Sequence, residues 1–212
     1  AGVELVRRGM AEPIGSLTQL GSIRLGKRYE HRNPKIRDFV PLTSIDDLVF
    51  GGWDIYDANA YDAAFHARVL RREHLEPIKD FLSGIHPMRA AFDRNFVRNL
   101  DGTYIKEEKG LRARVEAIRE DIRRFKEENG LDRCIVIWCG STEVYQKPGE
   151  IHQSMEAFQK AIDEDNPEIP PSMLYALAAL ESGVPFINGA PNLTIDIPAM
   201  VDLATKNNIP IA

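Results

Sequence analysis

Between Gly110 and Gly130 the apolar residues Leu111, Val115, Ile118, Ile122 and Phe125 recur three or four positions apart, while arginines and glutamates fill the opposite face. That period predicts an amphipathic helix, and Gly130 supplies its stop. The period then disappears. Cys134 to Trp138 is an unbroken apolar run, which predicts a parallel strand covered on both faces. After a Lys147-Pro148-Gly149 linker, helical spacing returns from about Ile151 to Glu164 and is broken by the prolines of Asn166 to Pro171. Ser172 is expected to cap the next helix, which carries Leu174, Leu177, Ala178 and Leu180 and ends at Gly183. Val184 to Ile187 predicts a second buried strand ending in Asn188-Gly189, and Ile197 to Asn207 a further helix before Ile209 opens a third strand. Strands alternating with helices, each strand ending in a polar, glycine-bearing turn, predict an α/β fold: a doubly wound parallel sheet with its ligand crevice along one edge.

The amino-terminal half is less regular. Ala1 to Gly9 has the pattern of the tail of an amphipathic helix, with Val3 and Val6 facing inward and Gly9 just past its end. Glu12 to Arg28 has neither helical nor strand period and is expected to be a loop, either on the surface or wrapping a site. A proline-containing connector from Asp38 to Asp46 leads into Leu48-Val49-Phe50, a short apolar run expected to be a strand ended by Gly51-Gly52-Trp53-Asp54-Ile55. Asn59 to Ser83 contains helical segments, with Ala60, Ala63, Ala64, Ala67 and Leu70 on one face and Leu75, Ile78, Phe81 and Leu82 on another. Met88 to Thr103 shows only scattered apolar residues among Arg89, Arg94 and Arg98. The opening lacks a starting methionine and a helix start, and Asn208 to Ala212 breaks off inside an apolar segment, so a piece of a longer protein is expected.

Composition narrows the function classes. A formal charge of -5 with interspersed signs gives no broad basic field for nucleic acid and no polybasic membrane patch. No apolar run approaches the roughly 20 residues that span a bilayer, and a cytoplasmic protein is expected. Cys134 and Cys139 lie on one predicted strand with their side chains on opposite faces, which suits a reducing compartment. His66 and His74, eight apart, would share a face if they stood on one helix, but no further ligands accompany them, and His86 and His152 stand alone. No metal site is predicted.

Candidate chemistry sits at the strand ends. Gly140-Ser141-Thr142 follows the central strand and offers backbone N–H and hydroxyl groups where open α/β sheets bind nucleotides or phosphates, although an ordinary polar turn has the same composition. Asp54 closes a second strand end. In dinucleotide folds such an acid accepts hydrogen bonds from ribose hydroxyls, typically about 20 residues after a glycine loop. Asp54 has the context but not that spacing, and capping a turn is its alternative role.

Five ordered blocks carry a family resemblance: Gly15-Ser16-Leu17-Thr18-Gln19, Gly51 to Ile55, Trp138 to Glu143, Pro171-Ser172-Met173-Leu174-Tyr175-Ala176, and Val184 to Pro191. Together they resemble the myo-inositol-1-phosphate synthase family. The resemblance covers nearly the whole chain and is most specific from Ile135 onward. It implies a Rossmann-like NAD-binding domain, incomplete at both ends over residues 1–212. It further implies an isomerase of inositol and phospholipid biosynthesis that converts glucose 6-phosphate to inositol phosphate by oxidation, intramolecular aldol closure and reduction. NAD would be held by Asp54, by Cys139, Gly140, Ser141 and Thr142, and by Gly189 and Ala190. A homotetramer is the assembly implied, and no nucleic-acid or membrane partner. The commoner family pattern has Thr-Ala-Asn-Thr where this chain has Cys139 to Thr142, and Ser-Pro-Gln-Asn where it has Ala190-Pro191-Asn192-Leu193. At Ala190 only a backbone N–H is left to make a contact. The family's diphosphate loop is expected before Ala1, and its catalytic lysines and tetramerisation domain after Ala212, so no catalytic residue is assigned here and these 212 residues by themselves are expected to hold NAD poorly and not to turn over. Another NAD-dependent oxidoreductase, or a non-catalytic interaction module, are the alternatives.

Overall fold

The computed structural model describes residues 1–13 and 21–212, so the block Gly15 to Gln19 lies outside the described residues. The chain forms two compact units: Ala1–Gly51 with Ala58–Pro87, and Gly52–Asp57 with Met88–Ala212.

In the first unit, helix α1 (Gly2–Arg7) buries Glu4 and Leu5 rather than the expected Val3 and Val6. The carboxylate of Glu4 tolerates this position because Arg8 Nε reaches it at 2.7 Å and Arg7 lies 3.6 Å away. Gly9, at φ +66°, takes the left-handed turn that ends the helix. Isolated antiparallel bridges join Ser22 to Lys35 and Leu25 to Arg32. Leu48-Val49-Phe50 is not a strand. It is irregular, with Val49 and Phe50 about half exposed, since no described element of this unit offers them a pairing edge. Helix α2 (Ala60–Ala67) is capped by Asn59, whose side chain accepts from Asp62 N at 2.9 Å. Short helices α3 (Arg72–Leu75) and α4 (Lys79–Ser83) flank a 3-10 turn at Glu76–Ile78. Leu5, Tyr61, Leu75, Ile78 and Leu82 make the small core. His66 therefore sits on α2 and His74 on α3, so the helical spacing that would have paired them does not exist.

The second unit carries the parallel strands. Strand β1 (Trp53–Asp54) pairs with β2 (Met88–Arg89) in the register Trp53 to Met88 and Asp54 to Arg89. Strand β3 (Val136–Trp138) pairs with β4 (Phe186–Asn188), and Phe186 bridges onward to Ile211 in the same sense. Asn188 N donates to Ala212 O at 2.7 Å, so the predicted third strand joins this edge. The helices between strands are α5 (Leu111–Glu128), α6 (Met155–Asp163), α7 (Pro171–Glu181) and α8 (Pro198–Asn207). Helix α7 is buried from Pro171 through Leu180, and Val115, Ile118 and Ile122 of α5 join it in one core. Its sequence, rich in Ala and Leu with no charged face before Glu181, leaves it no other place.

Two expectations need correction. Strand β3 is covered on one face only: Val136 is buried, whereas Ile135 and Ile137 are 57% and 58% exposed, because no described element lies over that face. Ser172 is not the helix cap. Pro170 occupies that position in extended conformation, Pro171 takes the first helical place, and Ser172 falls inside the first turn.

Candidate functional site

The side chain of Tyr175, at the middle of α7, ties the strand ends together. Its ring lies 5.0 Å from that of Trp53 on β1 and 5.5 Å from that of Trp138 on β3. Its hydroxyl oxygen accepts from Ala91 N at 2.7 Å, just beyond β2. Burial pushes this phenol well above its ordinary pKa, so it remains a neutral packing and hydrogen-bonding group. Trp53 is fixed from its other side as well. Its indole N–H donates to Asp121 of α5 at 2.8 Å, and the same carboxylate meets Lys106 Nζ at 2.5 Å and Arg124 at 2.9 Å. The residue that follows each tryptophan is a sequence-predicted site residue: Asp54 and Cys139.

The turns after β3 and β4 leave the same end of a parallel pair, and the structure brings them into contact. Gly189 N donates to Trp138 O at 2.8 Å. A Cβ on Gly189 would stand 3.0 Å from that oxygen and 3.9 Å from Cys139 Sγ, so the closeness of the two turns depends on the missing side chain. A Cβ on Gly140 would come within 2.6 Å of the Trp138 indole. Ser141 N closes the first turn onto Cys139 O at 3.0 Å, leaving Cys139, Ser141 and Thr142 exposed. Ala190 N, the one polar group expected of that residue, donates to Asn188 Oδ1 at 3.1 Å. The structure thus joins Cys139 to Thr142 with Gly189 and Ala190. Asp54 is related to them through Trp53, Tyr175 and Trp138. Asp54 is exposed, and its Oδ1 accepts from Tyr56 N at 3.1 Å, the turn-capping role weighed against ribose binding. A carboxylate that caps with one oxygen retains the other for a ligand.

Beneath these turns lies a polar cluster that local sequence pattern does not reveal. Glu143 is 7% exposed and accepts from Ser172 N at 3.0 Å, from the Ser172 hydroxyl, and from Asn192 Nδ2 at 2.7 Å. Thr194 Oγ1 completes the cluster, 3.1 Å from both Ser172 Oγ and Asn192 Nδ2. Asn192 Oδ1 is buried without a partner among the described residues. No cation pairs with Glu143 among them, and burial raises its pKa, partly opposed by the Ser172 and Asn192 hydrogen bonds. The available signal was a carboxylate directly after a hydroxyl-rich turn, together with a serine inside a proline-started helix. Its partners, 29 and 49 residues away, had to be seen in space.

Other polar groups stand apart from this site. His152 is buried with Nδ1 accepting from Gly149 N at 2.8 Å, and burial lowers its pKa, so it packs as neutral imidazole. Among the described residues no three His, Cys, Asp or Glu side chains converge as metal ligands. No described helix is long and apolar enough to cross a membrane.

Comparison with known proteins now adds to this geometry. An NAD-binding family model described as myo-inositol-1-phosphate synthase matches residues 1–212. Inositol-3-phosphate synthase 1 of Bacteroides thetaiotaomicron is 46% identical over 207 residues, which are 97% of this chain and 48% of that protein. Inositol-3-phosphate synthase of Brassica napus is 38% identical over 203 residues, 94% of this chain and 40% of that one. The crystal structure of inositol-3-phosphate synthase from Caenorhabditis elegans superposes with a TM-score of 0.87 at 29% identity, over 95% of this chain and 40% of that chain. The chain thus spans about half the length, or less, of the curated relatives it matches.

Proposed function

The chain belongs to the myo-inositol-1-phosphate synthase family, whose model matches its whole length, and from that premise we propose that it supplies NAD-binding strand ends to an inositol-3-phosphate synthase. The fold is of the α/β, Rossmann-like NAD-binding class, and NAD is the cofactor of that class of domain. The reaction we propose for the whole protein is conversion of glucose 6-phosphate to inositol phosphate through oxidation, intramolecular aldol closure and reduction.

The observation that carries this reading is the contact between the two glycine-bearing turns at the carboxyl end of β3 and β4. That is where open parallel sheets bind dinucleotides. The residues present suit the cofactor. Gly140 and Gly189 leave the room that the Trp138 indole and carbonyl occupy, so that the two turns pack closely against each other. Ser141 and Thr142 offer exposed hydroxyls, and Asp54 an exposed carboxylate suited to ribose hydroxyls. Bound there, NAD would supply the hydride acceptor for the oxidation and the hydride donor for the final reduction. The chain's own residues would hold and orient it: an acceptor at Asp54, donors at Ser141 and Thr142, and backbone at Gly140, while Gly189 and Ala190, whose N–H groups are spent on Trp138 O and Asn188 Oδ1, shape the turn against it.

Titration calorimetry of the chain with NAD tests the reading, with Asp54→Ala and Ser141→Ala as variants. NAD is expected to bind weakly, and loss of the Asp54 carboxylate to weaken it further by on the order of tenfold or more, as for a hydrogen bond to a charged group. Unchanged affinity in both variants would remove these turns from the cofactor site.

A further inference from the structure

We propose that Glu143 is a positioning residue: it locks the two cofactor turns to each other and to the start of α7, and so sets NAD affinity without touching NAD. This rests on the cofactor reading above and adds a residue to it.

Glu143 is the residue directly after Thr142, and its carboxylate is directed inward, 7% exposed, where the turn before it is exposed. One oxygen accepts from the backbone N–H of Ser172 at 3.0 Å, which fixes the turn to the amino-terminal end of α7. That end is positive by the helix dipole, which offsets part of the cost of burying a carboxylate without a cationic partner. The other oxygen takes the Ser172 hydroxyl and, at 2.7 Å, Asn192 Nδ2. From Asn192 the chain of contacts continues outward: Asn192 O accepts from Asn188 Nδ2 at 2.8 Å, and Asn188 Oδ1 accepts from Ala190 N at 3.1 Å. A continuous path therefore runs from Thr142 through one buried carboxylate to Ala190. At the surface the turns are joined by a backbone bond from Gly189 N to Trp138 O at 2.8 Å. Two attachments, one above and one below, fix both spacing and tilt, which a single hydrogen bond cannot do.

The residue types agree with that role. Four neutral donors and acceptors, Ser172, Asn192, Thr194 and Asn188, are spent on this network in a region where Leu193 and Ile195 are buried among apolar neighbours. A cluster kept only for stability would do as well with apolar residues of similar volume. A polar network gives directional specificity, and here it runs between the residues expected to meet NAD.

The test uses the 212-residue chain and its Glu143→Ala and Glu143→Gln variants, with NAD titration calorimetry and amide hydrogen exchange. Glu143→Gln conserves volume and one acceptor, so it keeps a folded protein for comparison if Glu143→Ala does not fold. Glu143→Ala is expected to weaken NAD by on the order of tenfold, and to speed exchange at the Ser141, Gly189 and Ala190 amides while Leu111 to Glu128 stays unchanged. Glu143→Gln is expected to recover part of both effects, because its carbonyl still accepts from α7 or from Asn192. A role in general stability would instead raise exchange along α5 and α7 together. Wild-type affinity and turn exchange in Glu143→Gln and Glu143→Ala overturn the inference and leave the cofactor reading standing. Absence of NAD binding by the wild-type chain overturns the cofactor reading, and the inference with it.

Discussion

At the residue scale the two cysteines separate what local environment does to one side chain type. Cys134 is half buried, and burial pushes its thiol above the ordinary value, whereas Cys139 is exposed at the turn that we assign to NAD. Alkylation by a maleimide is therefore expected to be faster at Cys139, read by mass spectrometry of the labelled peptides. Saturating NAD is expected to slow that labelling and leave Cys134 unaffected; equal labelling with and without NAD would place the cofactor elsewhere. Glu143 gives a second residue-level test. Its folded pKa lies above the ordinary 4.5 because burial disfavours the charged form. The folded state then holds this proton more tightly than the unfolded state. The stabilisation is complete below the ordinary value and is lost as pH rises through the raised one. Glu143→Gln is expected to remove that falling segment from a plot of urea stability against pH, beginning just above 4.5. His152 is shifted the other way by burial, so its contribution is lost as pH falls below the ordinary 6.5. Comparing wild type with Glu143→Gln cancels the histidine and isolates the carboxyl.

At the element scale α7 is where stability concentrates. Leu177 is fully buried between α5 and the strands, so Leu177→Ala is expected to cost about 2–5 kcal/mol of unfolding free energy by chemical denaturation, the range for a buried leucine that leaves a cavity. Lys106→Met tests the polar side of the same packing. It removes the nearest cation from buried Asp121 and leaves only Arg124 and the Trp53 indole to balance it. Breaking a buried pair from one side costs about 3–5 kcal/mol, and the partly exposed Arg124 is expected to bring the loss to the lower end. These elements also show what the sequence could and could not disclose. Helix α5 was legible because five apolar residues repeat on one face, and α7, α8, β3 and β4 because apolar runs end in Gly or Asn. Strand β2 was not, since Met88–Arg89 is a two-residue strand held only by its pairing with β1. Leu48-Val49-Phe50 misled for the converse reason: an apolar run forms a strand only where an edge is available, and the chain pairs a few residues later, at Trp53. The Glu143 cluster depends on contacts between residues far apart in sequence, which no local period encodes.

At the scale of the whole molecule the strand ends that we assign to NAD would serve cofactor binding but not the proposed sugar chemistry. Aldol closure needs a cation or strong donor beside the oxygen that becomes negative as the carbon–carbon bond forms. The described turns present hydroxyls, a thiol, a carboxylate and backbone N–H groups, and no lysine or arginine stands among the residues we assign to NAD. Those groups suit holding a dinucleotide through three successive steps; they do not suit stabilising an enolate. Binding and turnover should therefore separate. The 212-residue chain is expected to bind NAD weakly and leave glucose 6-phosphate unchanged. A chain of the same sequence carried to the length of the relatives it matches, of which it spans 48% or less, is expected to form inositol phosphate with no net change in NADH absorbance. Chromatographic assay of inositol phosphate alongside absorbance at the NADH band distinguishes the possibilities. Net accumulation of NADH without inositol phosphate from the longer chain would mark a dehydrogenase on the same fold. Inositol phosphate from the 212-residue chain would mean that the groups acting on the sugar lie within it, and the search for them would start from the lysines nearest the turns after β3 and β4.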